Sequence, residues 1–283
     1  MPKKMLFAAA TLLLLSSLNA RAAYIDLTTA GATGTGTAAI GSNFYVQQIS
    51  PQSTGSGVID PFLRVDGQHG TEQGYNTSLG LPLDDQPPAT QYVHKLLLSD
   101  VPIVTLTVNG QTHQYYQFLL DVNQNTGGQG ADQLLSLNQI QIFQSTIDRM
   151  DSNTPTQTSG SSPILAFDGS AGGSVSEVFR FNNSGDVRDI LLDYALNSGS
   201  GSGDMFLNVR VEDFTGPGNY VILYSQFGSP PGGSGANDGF EEWAVLQGNT
   251  TQAVPAPPAF LLMGLGAAIM GFVARRRREV VAP

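Results

Sequence analysis

The chain has 283 residues, no cysteine and a formal net charge of −10. The missing thiols exclude disulfide frameworks and thiolate metal sites, and the acidic balance disfavours nucleic acid and anionic membranes as partners of the body, since both would repel it. Only 13% of residues are charged while Gly alone numbers 33, a composition that favours strands and turns over helices.

Taken in order, residues 1–22 predict an export signal. Lys3 and Lys4 precede an apolar run from Leu6 to Leu15, and Ala20-Arg21-Ala22 supplies a small-x-small cleavage pattern. Export through the Sec translocon and cleavage by signal peptidase follow as expectations. The body then extends to residue 248 and is long enough to bury a core without staples. It holds six basic against 22 acidic residues. Tyr24 to Thr29, Phe44 to Ile49 and Val58 to Val65 read as strands, with a Gly/Thr/Ala turn-rich segment over residues 31–36. Residues 66–90, interrupted by Pro82, Pro87, Pro88 and several glycines, read as loop.

From Tyr92 the pattern sharpens. Tyr92 to Leu98 and Ile103 to Val108 are β-rich runs, and Asn109-Gly110 predicts a hairpin into His113 to Leu120. Asp121, Asn123 and Asn125 follow, oxygen side chains at positions one, three and five that resemble the opening of an EF-hand-like calcium loop. Thr126 stands at the sixth position, where that pattern has glycine, and Asp132 or Gln139 would close the loop. The same residues also suit an Asx-rich turn between a strand and a short helix, so calcium and a metal-free turn both stand as readings. Residues 148–162, Ser/Thr-rich with Pro155, mark an internal boundary. The body therefore divides into β-rich parts at 23–150 and 163–248, separate or continuous.

Beyond the boundary, Ile164 to Phe167, Val175 to Phe181, Asp189 to Leu196, Met205 to Val211, Tyr220 to Phe227 and Trp243 to Leu246 read as short strands with Gly/Ser turns. Such spacing predicts a mainly β fold, an antiparallel β-sandwich or jelly-roll-like body. Asp204, Asn237, Asp238, Glu241 and Glu242 offer oxygens for a second cation or a sugar, with Trp243 as a stacking platform. Solvated loop acids and a core tryptophan are the plainer reading of these residues. No nucleophile elbow, phosphate loop or H-E-x-x-H motif occurs. The three histidines, His69, His94 and His113, lack a nucleophile or a third ligand beside them. The expectation is a non-enzymatic protein.

The C-terminal end carries the most specific pattern. Val254-Pro255-Ala256-Pro257 closes a Pro-rich linker over 249–258. An uncharged apolar run over 259–274 predicts a single transmembrane helix, and Arg275, Arg276, Arg277 and Arg278 open a tail over 275–283. At about 1.5 Å per residue sixteen helical residues span roughly 24 Å, slightly short of a bilayer core of about 30 Å, and the arginines should stay cytoplasmic. A Pro-rich motif, a short apolar helix and an Arg cluster in this order closely resemble the PEP-CTERM sorting signal of Gram-negative bacteria. Pro255-Ala256-Pro257 stands where that family has Pro-Glu-Pro. The resemblance implies processing by a membrane-embedded exosortase, inner-membrane anchoring beforehand, and delivery to the cell surface or an exopolysaccharide and biofilm matrix afterwards. The alternative expectation is a carbohydrate-binding or carbohydrate-active extracellular protein.

Overall fold

In the computed structural model the described residues are 24–53, 58–66, 70–78, 83–85, 89–125, 132–148, 164–166, 172–181, 189–199, 202–230, 235–237 and 239–247. The export signal, His69, Asp238, the linker beyond residue 148, the sorting motif, the apolar 259–274 run and the arginine cluster lie outside them. No helix among the described residues is long and apolar enough to cross a membrane.

The described chain is mainly β: β1 (Ile25–Asp26), β2 (Thr33–Thr37), β3 (Asn43–Ser53), β4 (Ile59–Val65), β5 (Glu72–Tyr75), a single-turn helix α1 (Ala89–Tyr92), β6 (Leu96–Leu97), β7 (Ile103–Val108), β8 (Gln111–Asp121), β9 (Leu134–Ser145), β10 (Val175–Arg180), β11 (Ile190–Asp193), β12 (Ser202–Arg210), β13 (Tyr220–Gly228) and β14 (Glu241–Leu246). They form two sheets. One runs β1-β11-β9-β13-β5, with β10 pairing β9 and β6 pairing β13. The other runs β2-β3-β12-β8-β14-β4, with β7 pairing β8. All pairs are antiparallel except β1 with β11.

Strands from both sides of the 148–162 segment alternate in each sheet: β12 lies between β3 and β8, and β13 between β9 and β5. Neither part could complete a sheet alone, so the two form one continuous β-sandwich-like body. Its main core lies between the sheets and includes Phe44, Phe118, Leu120, Leu137, Ile142, Phe179, Leu207, Leu223, Phe227 and Trp243. Phe44 meets Phe179 and Phe181 edge-to-face at centroid distances of 5.6 and 5.4 Å, a favoured aromatic geometry. The Trp243 indole N–H donates to Ser225 Oγ at 3.0 Å, tying β14 of one sheet to β13 of the other.

Several expectations need correction. Residues 33–37 in the Gly/Thr segment form β2, and Glu72–Tyr75, inside the predicted loop, form β5. Each is supported by a neighbour, β3 and β13 respectively, which offsets weak intrinsic strand preference. The predicted strand over 92–98 divides into the end of α1, the two-residue β6 and a 3-10 turn. Residues 164–166 belong to no strand of the two sheets. The Asn109-Gly110 hairpin forms as expected, with φ of +52° and +78°, the double positive pair of a type I′ turn.

Candidate functional site

The two polar groups singled out from the sequence, residues 121–125 and residues 237–242, meet at one end of the sandwich. Asp121 closes β8, and residues 122–133 then carry the chain from the second sheet into β9 of the first. This crossover is fastened to the segment that enters β14. Asn123 Nδ2 donates to the Phe240 carbonyl at 3.2 Å, and Gln124 Nε2 donates to Glu241 Oε1 at 2.6 Å. The Asn237 N–H donates to Gln124 Oε1 at 3.3 Å, while Asn237 Oδ1 accepts from the Asn125 N–H at 2.8 Å. Asn237 Nδ2 also donates to the Asp132 carbonyl at 2.5 Å. One asparagine thus holds both sides of the crossover. Gly239 has φ +74°, and a Cβ there would stand 2.6 Å from Asn123 Cβ. Only glycine permits this approach without strain.

Behind this seam lies a row of buried charge. Strand register places Asp121 opposite Glu242 and Glu242 opposite Arg64. Asp204, next to Met205 that faces Leu120, adds a further carboxylate beside Asp121. Arg64 binds Glu242 through Nε at 2.8 Å and through its terminal nitrogen. Its guanidinium lies between two rings, 3.3 Å from the Tyr92 centroid and 3.7 Å from that of Phe240, a stacked position that suits a planar cation. Burial raises the Glu242 carboxyl, opposed by the Arg64 charge and hydrogen bonds. Asp204 Oδ2 accepts from the Val122 N–H at 2.8 Å, and Oδ1 has no partner. Burial, with the Asp121 and Asp193 charges adding to it and the Val122 bond opposing it, pushes Asp204 up to about 9. It is a neutral acid at pH 7.

The calcium candidates divide between this seam and the strands beside it. Asp121 belongs to the charge row, and Asn123 and Asn125 are engaged with the 237–240 segment. Asp132 presents its carbonyl to Asn237. Gln139 is fully buried inside β9, opposite Gln226 of β13. Among the described residues no group of three or more His, Asp or Glu stands together at metal-holding separation. Of the second set, Asp204 and Glu241 do reach the same end of the fold. Trp243 does not reach the surface: it is 0% exposed, inside the core, and offers no face to a sugar.

Sequence reasoning passed over Gln124 and Arg64. Gln124 lay inside the motif as a spacer between its oxygens, although a glutamine at that point has both a donor and an acceptor to join two chains. Arg64 had one visible signal: it is one of only six basic residues in an acidic body. His94 and His113 stand apart. His94 Nε2 lies 3.6 Å from Asp60, and His113 Nε2 is 3.4 Å from Gln111 Oε1.

No family model, curated protein or solved structure matches this chain.

Proposed function

We propose that this is an exported, non-enzymatic β-sandwich protein, delivered to the cell surface or extracellular matrix of a Gram-negative bacterium by an exosortase acting on its C-terminal signal. The observation that carries the reading is the ordered tail: Val254-Pro255-Ala256-Pro257, the apolar 259–274 run, and Arg275 to Arg278. Among the described residues β1 begins at Ile25 and β14 ends at Leu246, and the mainly β, sandwich-like body they bound is the cargo this reading requires. The polar seam supports a structural role for Asn123, Asn237 and Glu241, whose side chains help fasten the 122–125 and 235–241 segments together. In this reading exopolysaccharide is a partner of the finished protein, and the carboxylates at the seam are framework.

Intact mass tests the proposal. The protein is recovered from cell envelope and medium of a strain with its exosortase and of one without. A shortened, released form that depends on that enzyme is the expected result. An uncleaved form held in the inner membrane of both strains would refute it and make the tail a plain anchor.

A further inference from the structure

We infer that β7 is a self-association edge, at which a second copy of this chain adds its own β7 antiparallel and joins the two sheets across a two-fold axis. Among the described residues β7 pairs with β8 alone. Its residues alternate exposed and half-buried, and Ile103, 50% exposed, is one of two large apolar side chains that reach solvent among them. An open edge is a template for another strand, and folded proteins guard it with charge, proline, bulges or shortness.

The other edges of the two sheets carry such guards. β4 contains Asp60, Pro61 and Arg64 and a register shift against β14. β10 has a shift between Glu177 and Phe179 and carries Glu177 and Arg180. β1 and β6 have two residues each and β5 has four. Glycines interrupt β2. β7 has six residues, Ile-Val-Thr-Leu-Thr-Val, with no guard of any kind.

The choice of a second copy rests on charge and on sequence symmetry. Residues 101–120 contain no Asp, Glu, Lys or Arg, in a body with 22 acids against six bases. A second copy that approaches the β7–β8 hairpin therefore meets no like charge there. Val104-Thr105-Leu106-Thr107-Val108 also reads the same in both directions. Antiparallel pairing about a two-fold through Leu106 sets Leu106 against Leu106, Val104 against Val108 and Thr105 against Thr107. Directly opposed residues share a face, so this register puts every apolar pair on one face and every threonine pair on the other. A shift by one residue would break that matching.

The chain lacks cysteine, so one introduced thiol reports the register cleanly. Full-length protein carrying Leu106→Cys is oxidised and run on a non-reducing gel beside Ile103→Cys. On the axis, the two Cα atoms stand roughly 4.5–5.5 Å apart, within disulfide reach. The two residues 103 stand about 20 Å apart at ~3.4 Å per residue. The expected result is a covalent dimer from Leu106→Cys at least tenfold in excess of that from Ile103→Cys, lost when Thr105→Lys is added. If Leu106→Cys does not fold, the double variant Thr105→Cys/Thr107→Cys at exposed positions tests the same register. Equal yields from the two single cysteines, monomer from both, or a Leu106→Cys cross-link to a different polypeptide and none to itself overturns the inference.

Discussion

Asp204→Asn should remove a pH dependence from the stability of the fold. Asp204 is pushed from the ordinary aspartate value of about 3.9 up to about 9, chiefly by burial. Between those values the native state keeps a proton that the unfolded state releases. The contribution is therefore fully present below pH 4 and is lost as pH rises toward 9, at about 1.4 kcal/mol per pH unit. By pH 7 the loss amounts to roughly 4 kcal/mol, a large share of a typical domain stability of about 5–15 kcal/mol. Asparagine retains an oxygen for the Val122 N–H and has no proton to lose. Its amide places two donors where Oδ1 now has no partner. Asp121, Asp193, Glu241 and Glu242 are common to both proteins, and subtraction removes their titration to first order. Urea unfolding at pH 5, 6, 7 and 8 supplies the test. The difference in unfolding free energy, variant minus wild type, should climb in favour of Asp204→Asn by about 1.4 kcal/mol per unit. A constant difference across that range refutes the account of Asp204 as a neutral buried acid.

The remaining expectations concern the seam and the core. Ser225→Ala strips the acceptor from the Trp243 indole and should cost about 1–3 kcal/mol in urea unfolding; Trp243→Phe loses the same bond plus ring volume and should cost more. Asn237→Ala removes two bonds at once, to the Asn125 N–H and the Asp132 carbonyl. It should cost about 2 kcal/mol and raise amide exchange at Asn125, whereas Asn237→Asp, which keeps the acceptor, should protect that amide. Arg64→Lys keeps the charge opposite Glu242 but loses the two-nitrogen contact and the stack between Tyr92 and Phe240; a lower melting temperature, little recovered by added salt, is the expected outcome. Gly74→Ala places a Cβ 2.0 Å from Asp85 Oδ1, and a loss of about 1–3 kcal/mol should follow from the forced displacement.

Strands were legible where side chains alone specify them. Ile103 to Val108 sets Ile103, Thr105 and Thr107 against Val104, Leu106 and Val108, and Asn109-Gly110 accepts the two positive φ values of its turn; Met205 to Arg210 also reads as a strand, although its alternation suggests one polar face and the fold buries Phe206 and Asn208 as well. Where pairing rather than propensity creates the strand, local reasoning failed. Glu72-Gln-Gly-Tyr75 has no strand signature of its own and depends on β13, about 150 residues later in the chain. The opposite error occurred at 92–98, where Tyr92 is drawn into α1 and its ring covers Arg64. Local β preference there lost to a contact that sequence distance conceals.

The same distance explains the candidate site. Asp121-Val-Asn-Gln-Asn125 resembles the opening of a cation-wrapping loop, and Asn237 to Glu242 offers oxygens on its own account. Each was read within its own neighbourhood. In a sandwich, the end of β8 and the start of β14 are adjacent because the two strands pair, Glu242 against Asp121. The residue types were informative, since short amide and carboxylate side chains do serve to satisfy irregular backbone. Their partner was the other segment. A chain crossing between two sheets exposes backbone groups that neither sheet satisfies, and Asn123, Gln124 and Asn237 meet that need with four hydrogen bonds, while a fifth joins the Gln124 and Glu241 side chains. Of the two readings open at residues 121–125, these bonds are the work of the Asx-rich turn.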